Sequence, residues 1–265
     1  MAGTEERYNP VYPAPMPTSG IAAVDRYLDT GYDTVVGMSS RFAAAVVTRI
    51  MAIQNEMGIA GPIAEIGTFE GRFFIAMAHA LKPGEVALGM DLFDWPNPQI
   101  IDRFEANCAK HGVDPSKRIT WKVDSRETKA ETLLEKLGGK RPRVFHVDGE
   151  HSRHALKRDL ALAAHVMAPD GVIVLDDMLH PGYPTLMVTV QEFLEANPEI
   201  VVLAVIDRET ITGATKFVLC RKSMFKAYED KMLVAFKDNI WPLGADFEPH
   251  WCLVLSRDTR LAQIT

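Results

Sequence analysis

The alternation of short apolar runs with helix-like stretches between residues 63 and 177 most constrains how this chain folds. Five strand candidates fall in this region: 63–67, 86–93, 119–124, 144–149 and 171–177. The stretches between them have a helical pattern: 71–81, 98–111, 129–137 and 152–167. Strands that alternate with helices of this length predict βαβ units and a parallel sheet covered on both faces. Such sheets bind ligands at the carboxyl ends of their strands.

The alternation stops after residue 177. Two further strand candidates, 200–206 and 214–222, are joined by a short turn-rich loop that leaves no room for a crossover helix. They therefore predict an antiparallel hairpin. The predicted fold class is α/β: a doubly wound Rossmann-like sheet, mostly parallel, with an antiparallel C-terminal strand hairpin.

We expect four regions along the chain. They are a Pro-rich N-terminal arm (1–20), N-terminal helices that form a lid or subunit contacts (21–60), a core domain (61–222) and a C-terminal extension (223–265). Within the second region, 40–57 carries apolar residues on several faces, which is typical of a well-buried helix. The extension contains a helix candidate and the aromatic stretch 240–251.

Composition excludes several classes of protein. The formal net charge of −6 and the lack of a Lys/Arg-rich run argue against nucleic-acid binding. No apolar run reaches the ~20 residues that span a bilayer, and the first twenty residues lack the apolar core of a signal peptide. Three distant cysteines (Cys108, Cys220 and Cys252) predict free thiols. We expect a cytoplasmic protein with neither nucleic-acid nor membrane partners.

The stretch "EIGTFEG" (65–71) lies at the first strand-to-helix turn. Gly67 allows a tight turn, and Gly71 lets the next helix begin close to the sheet. Phe69 stands where a dinucleotide fingerprint has glycine, and its bulk would crowd a pyrophosphate. Glu65, inside the strand, suits a ligand with a cationic group. The alternative is an ordinary βα turn.

Acidic residues follow the next two strands. Asp91 ends the second strand, about twenty residues beyond Gly71, where a carboxylate accepts both ribose hydroxyls in dinucleotide folds. Asp94 is the weaker competitor by position. Asp124 and Ser125 end the third strand, where an adenine edge would lie. The alternative is a set of acidic loop residues without a ligand.

Asp148 ends the fourth strand, and Asp176 and Asp177 end the fifth. Three carboxylates in one crevice repel each other, and a divalent cation such as Mg²⁺ would relieve that repulsion. His151, three residues beyond Asp148, is the candidate general base. The alternative is that the carboxylates are independent strand ends that cap helices.

Other polar residues nearby have less specific interpretations. We expect His146 to be a satisfied core residue, because it alternates with Val144 and Asp148 on the strand. His154 is predicted to be a solvated helix residue. The role of Glu150 stays open, and a simple exposed residue is one interpretation. His180 is a candidate for lining the pocket.

Taken together, Glu65-x-Gly67-x-x-x-Gly71, Asp91 and the terminal hairpin resemble class I S-adenosylmethionine (SAM)-dependent methyltransferases. The stretches "VDGEHSRHALKRDL" and "APDGVIVLDD" are similar to the branch with the macrocin and mycinamicin sugar O-methyltransferases and the cephalosporin-hydroxylase-like proteins. The resemblance covers about 60–222, which would make 61–222 a SAM-binding methyltransferase domain. The termini have no counterpart.

The resemblance implies a role for each motif residue. Glu65, Gly67, Thr68 and Gly71 would hold the methionine end of SAM, and Asp91 would bind its ribose. Asp124 or Ser125 would lie near the adenine. Asp148, Asp176 and Asp177 would bind Mg²⁺ or another divalent cation, with Asp148 also on the cofactor side. His151 would take the proton from a substrate hydroxyl.

The predicted function is therefore Mg²⁺-dependent transfer of a methyl group from SAM to a hydroxyl of a small molecule, a sugar or a secondary metabolite. Catechol-type enzymes usually have Asn where Asp177 stands, which favours a sugar or alicyclic hydroxyl without excluding a catechol. Three alternatives stay open: a metal-independent methyltransferase, an NAD-dependent oxidoreductase and a non-catalytic binding protein. The apolar extensions lead us to expect a homo-oligomer.

Overall fold

The computed structural model describes residues 12–248 and 250–260. A nine-stranded mixed sheet runs through this part of the chain. The strands are β1 (Ile63–Ile66), β2 (Ala87–Asp91), β3 (Arg118–Lys122), β4 (Val144–Val147), β5 (Val172–Met178), β6 (Ile200–Ile206), β7 (Thr215–Arg221), β8 (Ile240–Asp246) and β9 (Trp251–Leu255). The helices are α1 (Ala22–Arg26), α2 (Arg41–Glu56), α3 (Arg72–His79), α4 (Ile100–Lys110), α5 (Ala130–Lys136), α6 (Arg153–Val166), α7 (Thr185–Ala196) and α8 (Lys222–Ala235).

The strand order confirms the predicted fold class. It runs β3-β2-β1-β4-β5-β7-β6-β9-β8. Strands β1 to β5 are parallel to one another, and β7 is antiparallel to both β5 and β6. The hairpin predicted from the short loop is thus β6–β7, with its second strand inserted next to β5.

The sheet continues beyond this hairpin in a way that the sequence did not predict. Within the aromatic stretch 240–251, β8 forms an antiparallel hairpin with β9, and β9 adds to β6 in parallel. Pro242 and Gly244 interrupt the alternation that would identify a strand. Both residues are tolerated here because β8 is the last strand of the sheet, where a missing N–H leaves no neighbouring strand without a partner.

The core consists of two apolar layers, one on each face of the sheet. One layer joins the sheet to α2, α3, α4 and α8, and the other joins it to α5, α6 and α7. Central strands such as β4 and β6 are buried along their whole length. Strands covered on both faces consist almost entirely of apolar residues. A polar residue inside such a strand therefore needs a partner.

Helix α2 is largely buried in this core, as the pattern over 40–57 predicted. The Ser40 hydroxyl caps it by accepting the N–H of Ala43 at 2.9 Å. Twelve of its sixteen residues are buried, from Phe42 to Gln54. The segment before it, predicted as helical, forms only α1 and two single turns, Tyr27–Gly31 and Tyr32–Thr34.

The two ends of the described chain pack against each other. Ala14 and Arg257 exchange backbone and side-chain hydrogen bonds, and the Asn239 amide donates to the carbonyl of Pro15 at 2.9 Å. Residues 1–11 of the predicted arm, and 261–265 of the extension, lie outside the described residues. Over the described ranges, no helix has both the length and the apolar character to cross a membrane. The three cysteines are buried free thiols, as predicted.

Candidate active site

The five parallel strands end at one edge of the sheet, and the predicted ligand-binding residues meet there. A cavity of about 350 Å³ opens at this edge. Its walls include six of the residues assigned from the sequence: Gly67, Asp91, Asp124, Ser125, Asp148 and His151. Asp94, the weaker competitor of Asp91, also lines it. The fold therefore brings these residues together, while the role of each stays a prediction.

The turn after β1 carries the backbone of that strand against β4. At Gly67 φ is 82°, and a Cβ there would lie 1.8 Å from the carbonyl oxygen of Asp148. Only glycine fits this position. Two residues later Phe69 has φ 48°, a conformation that non-glycine residues rarely adopt. Its N–H donates to Oδ2 of Asp91 at 2.9 Å, which helps to hold the turn.

Asp91 also holds the loop that follows its own strand. Its Oδ1 accepts the N–H of Phe93 at 2.8 Å, and Phe93 likewise has φ 48°. The carboxylate therefore ties the turn after β1 to the loop after β2. Each oxygen accepts one of these bonds and keeps a second lone pair. Binding of ribose hydroxyls by Asp91 is compatible with this geometry.

The loop after β3 contains a charged residue that the sequence analysis missed. The guanidinium of Arg126 bonds both carboxylate oxygens of Asp124, and these hydrogen bonds lower the pKa of Asp124. Arg126 also donates to Glu150 at 2.7 Å across the mouth of the cavity. Glu150 is exposed, as one of its two interpretations had it, yet it is paired. Nothing in the sequence pattern distinguishes Arg126 from a solvated arginine.

Asp148, His151 and Asp177 form a compact group at the carboxyl ends of β4 and β5. Nε2 of His151 lies 2.5 Å from Oδ2 of Asp177 and 3.8 Å from Oδ1 of Asp148. The imidazole stacks on the ring of Tyr183, with the centroids 4.4 Å apart. His180 also stacks on the ring of Tyr183, with the centroids 4.7 Å apart, so His151, Tyr183 and His180 form a row of rings. His154 is exposed on α6, as predicted.

The two carboxylates control the charge of His151. Burial lowers the pKa of His151, but the close carboxyl groups of Asp148 and Asp177 outweigh burial and raise it to about 10. Burial raises the pKa of Asp148 well above its usual range. An imidazole with this pKa keeps its proton at neutral pH. His151 can act as a base only when another positive charge compensates the carboxylates.

Asp176, the third predicted ligand, has a partner that the sequence analysis did not identify. The Nζ of Lys216, on β7, forms an ion pair with Oδ2 of Asp176, and the Ser39 hydroxyl donates to the same oxygen at 3.1 Å. Burial alone would raise the pKa of Asp176, but Lys216 outweighs it and the pKa is lowered. A lysine inside the apolar run 214–222 was the available signal.

Glu65 lies beneath the cavity and contacts a second buried side chain. Its Oε1 is 2.7 Å from Nδ1 of His146, and neither residue is exposed beyond 1%. His146 is thus a satisfied core residue, as predicted, and its ring stacks on Phe73. Burial, followed by the charge of Asp148, raises the pKa of Glu65 well above its usual range. Oε2 of Glu65 and Oγ1 of Thr68 have no hydrogen-bond partner among the described residues.

Two sets of side chains over the described ranges offer ligand atoms close enough to hold a metal ion. One is His146, Asp148 and Asp176; the other is Asp148, His151 and Asp177. Lys216 already occupies two members of the first set. Among the described residues no lysine or arginine is paired with the second set, and its oxygen and imidazole donors suit a divalent ion. The residues present therefore fit a cation bound to Asp148 and Asp177, with Asp176 beside it.

The central part of the chain matches a known protein family. Residues 64–178 match the family model described as a methyltransferase domain. The central part of the chain is therefore similar in sequence to a methyltransferase domain. No curated protein sequence is significantly similar to the chain.

Solved structures share the fold at low sequence identity. An O-methyltransferase from Bacillus cereus, solved in complex with S-adenosylhomocysteine (SAH), has a TM-score of 0.53 and 13% identity, and the match covers 76% of this chain and 91% of that one. TomG from Streptomyces achromogenes, an O-methyltransferase of tomaymycin synthesis solved with SAM, has a TM-score of 0.51 and 20% identity, with coverages of 77% and 88%. CalS11, a TDP-rhamnose 3′-O-methyltransferase of calicheamicin biosynthesis, has a TM-score of 0.50 and 14% identity, with coverages of 74% and 86%.

These identities show the fold alone. The family match agrees with the methyltransferase that the motif residues predicted, and the solved structures agree with the predicted fold. They do not distinguish the macrocin-like branch from others.

Proposed function

We propose that this chain is a SAM-dependent O-methyltransferase that acts on a hydroxyl of a small molecule and uses a divalent cation. One observation carries the proposal. His151 lies between Asp148 and Asp177 at the wall of the cavity that Gly67 and Asp91 also line. A methyl donor and an acid–base group would thus share one crevice.

The cavity suits a positively charged adenosine derivative. Five acidic residues line it against one arginine, Arg126, so its walls are acidic on balance, which favours a sulfonium ion over a pyrophosphate: Asp91, Asp94, Asp124, Asp148 and Glu150. Asp91 would accept ribose hydroxyls, and Asp124 or Ser125 would lie along the adenine. The unpartnered Oε2 of Glu65 is an acceptor for the ammonium group at the methionine end.

A divalent cation would be held by Asp148 and Asp177, with Asp176 as the third carboxylate predicted for it. A cation held there would supply positive charge that lowers the pKa of the acceptor hydroxyl. That charge would also offset the carboxylates beside His151. Nε2 of His151 then accepts the proton of the acceptor hydroxyl.

Methyl transfer is an in-line displacement at the sulfonium carbon, so the site mainly aligns two reactants. The loop with Gly67 and the Asp91 carboxylate fix the donor. The row His180, Tyr183 and His151 presents aromatic faces beside the acid–base group, at centroid distances of 4.7 and 4.4 Å. The aromatic faces favour a ring-shaped acceptor, such as a sugar or an alicyclic metabolite. TomG and CalS11, named for secondary-metabolite and sugar methylation, support this substrate class.

Two measurements test the proposal. Calorimetric titration of the EDTA-treated protein should show binding of SAH and none of NAD. Labelled SAM with a panel of nucleotide sugars, alicyclic alcohols and catechols should then yield an O-methylated product only when Mg²⁺ is restored. Binding of NAD without SAH would overturn the methyltransferase assignment. Undiminished transfer in EDTA would overturn only the cation.

A matched control for the proposed ligands lies just before the start of β5, the strand that carries Asp177. Asp177→Asn should weaken Mn²⁺ binding, measured by electron paramagnetic resonance, more than about tenfold, since even outer-shell changes cost about 10–100-fold. Asp170→Asn, beyond the opposite end of β5, should leave Mn²⁺ affinity unchanged. Equal affinities for the two variants would remove Asp177 from the ligand set.

A further inference from the structure

A chain of four buried polar side chains crosses the sheet beneath the candidate site. Asp176 on β5, Lys216 on β7, His146 on β4 and Glu65 on β1 belong to four strands that are adjacent in the sheet. Nζ of Lys216 pairs with Asp176 and lies 3.2 Å from Nε2 of His146. Nδ1 of His146 in turn lies 2.7 Å from Oε1 of Glu65. At one end of the chain Asp176 adjoins the candidate ligand Asp177, and at the other Glu65 adjoins Ile66 and Gly67, which line the cavity.

With Lys216 as an ammonium group and Glu65 as a carboxylate, the donors and acceptors in this chain have one consistent assignment. An ammonium group only donates, so Nε2 of His146 must accept from Lys216. A neutral imidazole then carries its proton on Nδ1, which donates to Oε1 of Glu65.

This assignment leaves one oxygen of Glu65 uncommitted. Oε1 is fixed by His146, while Oε2 is buried without a partner among the described residues. Glu65 is 1% exposed, so water does not compensate that oxygen through the surface. A buried acceptor without a donor is unfavourable, and a ligand that donates to it relieves the cost.

We propose that Lys216 and His146 are positioning residues for the cofactor, which fix Glu65 so that Oε2 accepts from the α-ammonium group of SAM. The inference rests on the proposed function, because it needs a ligand with that ammonium group. It assigns Lys216 two tasks from one position: holding Asp176 on one side and, through His146, Glu65 on the other. The stack of Phe73 on the imidazole, with centroids 4.3 Å apart, keeps the ring in register with both partners.

The test compares two ligands that differ in the group concerned. SAH carries the amino-acid end, whereas 5′-methylthioadenosine has the same nucleoside and thioether without it. Lys216→Met should lower SAH affinity about tenfold or more by calorimetry, the effect of disturbing a charged hydrogen bond, and should change methylthioadenosine affinity less than about twofold. Lys222→Met, an exposed lysine just beyond β7, is the control and should change neither.

A second variant covers the case in which Lys216→Met does not fold. His146→Phe removes both hydrogen bonds but keeps an aromatic ring on Phe73 and leaves Lys216 paired with Asp176, so the same selective loss is expected. Equal weakening of both ligands, or no weakening of SAH, in the variant that folds would overturn the positioning role. If the unaltered protein does not bind SAH at all, the proposed function fails, and this outcome is distinct because it needs no variant.

Discussion

His151 lies between two carboxylates, and this position decides whether it carries a proton. Asp148 and Asp177 hold its pKa at about 10, so the imidazole alone is an acid at neutral pH. The sequence could predict that a histidine lies near acidic residues. It could not predict the 2.5 Å distance between Nε2 of His151 and Oδ2 of Asp177, which sets the charge of the imidazole. At this scale, the partner of a residue matters more than its type.

Replacing His151 tests its role as a base. His151→Ala should lower kcat by about 10²–10⁴, the usual contribution of general acid–base catalysis, with the KM for SAM changed little. The control is His154→Ala, one helical turn away on an exposed face, which should retain full activity. Steady-state kinetics with an acceptor from the panel measures both. A kcat for His151→Ala within a few-fold of the unaltered protein would assign the proton to another group.

Asp159, on α6, is a buried carboxylate that the proposed reaction does not use. Neither of its oxygens has a hydrogen bond of normal geometry among the described residues, and Oδ2 packs against Gly149. Burial raises its pKa from 3.8 to about 6, against a smaller opposing effect of Ser125. Because the folded state holds this proton more tightly than the unfolded chain, stability is lost as pH rises from about 4 through 6.

Asp159→Asn should therefore stabilise the fold at neutral pH. The pKa difference corresponds to about 3 kcal/mol, and a buried amide recovers about 1–3 kcal/mol of it. Urea unfolding at pH 7.5 and at pH 4 should show the gain at the higher pH and its disappearance at the lower one. Asp238→Asn, an exposed site, is the control for general charge effects. A gain that is equal at both pH values would contradict a role for ionisation.

At the scale of elements, the two ends of the central strands have different roles. The carboxyl ends carry the candidate site, while the opposite end is held by Arg143, which precedes β4. Its guanidinium is fully buried and donates to Glu85 and Gln54, each at 2.9 Å, and to carbonyl groups of α2 and of the residue after α3. One side chain thus joins helices and strands that are far apart in the sequence.

Removing Arg143 should destabilise the fold without changing the site. Arg143→Met leaves Glu85 buried without its cation and several carbonyls without a donor, so a loss of about 3–5 kcal/mol in the free energy of unfolding is expected. Arg141→Met, which loses one exposed hydrogen bond to a helix carbonyl, should cost less than about 1 kcal/mol. Denaturant titration measures both. A similar small loss for each variant would mean that the buried network contributes little.

At the scale of the whole molecule, the sheet is longer than the alternating region requires. β9 joins β6 in parallel, and β8 closes the edge, which extends the sheet to nine strands over the described residues. Residues 12–20 pack on this extension through Ala14, Pro15 and Arg257. The N-terminal arm and the C-terminal extension, predicted as separate regions, therefore form one contact in the folded chain.

The sequence by itself determined the central sheet. Its strands are predicted to within a few residues, because strands buried on both faces are almost entirely apolar and the helices between them have the 3.6-residue period. The strand-end rule also gathered Gly67, Asp91, Asp124, Asp148 and His151 at one cavity. Both inferences depend only on local pattern and on the order of the elements.

The tertiary structure alone decided the partners of the charged residues. Lys216 lies 40 residues beyond Asp176 in the sequence, and Arg126 and Glu150 belong to different loops, so no local pattern pairs them. The hairpin β8–β9 could not be predicted from the sequence either. An edge strand tolerates Pro and Gly, and in β8 these residues interrupt the apolar–polar alternation that would identify a strand. Electrostatic interactions depend on distances in space and on burial, and the fold sets both.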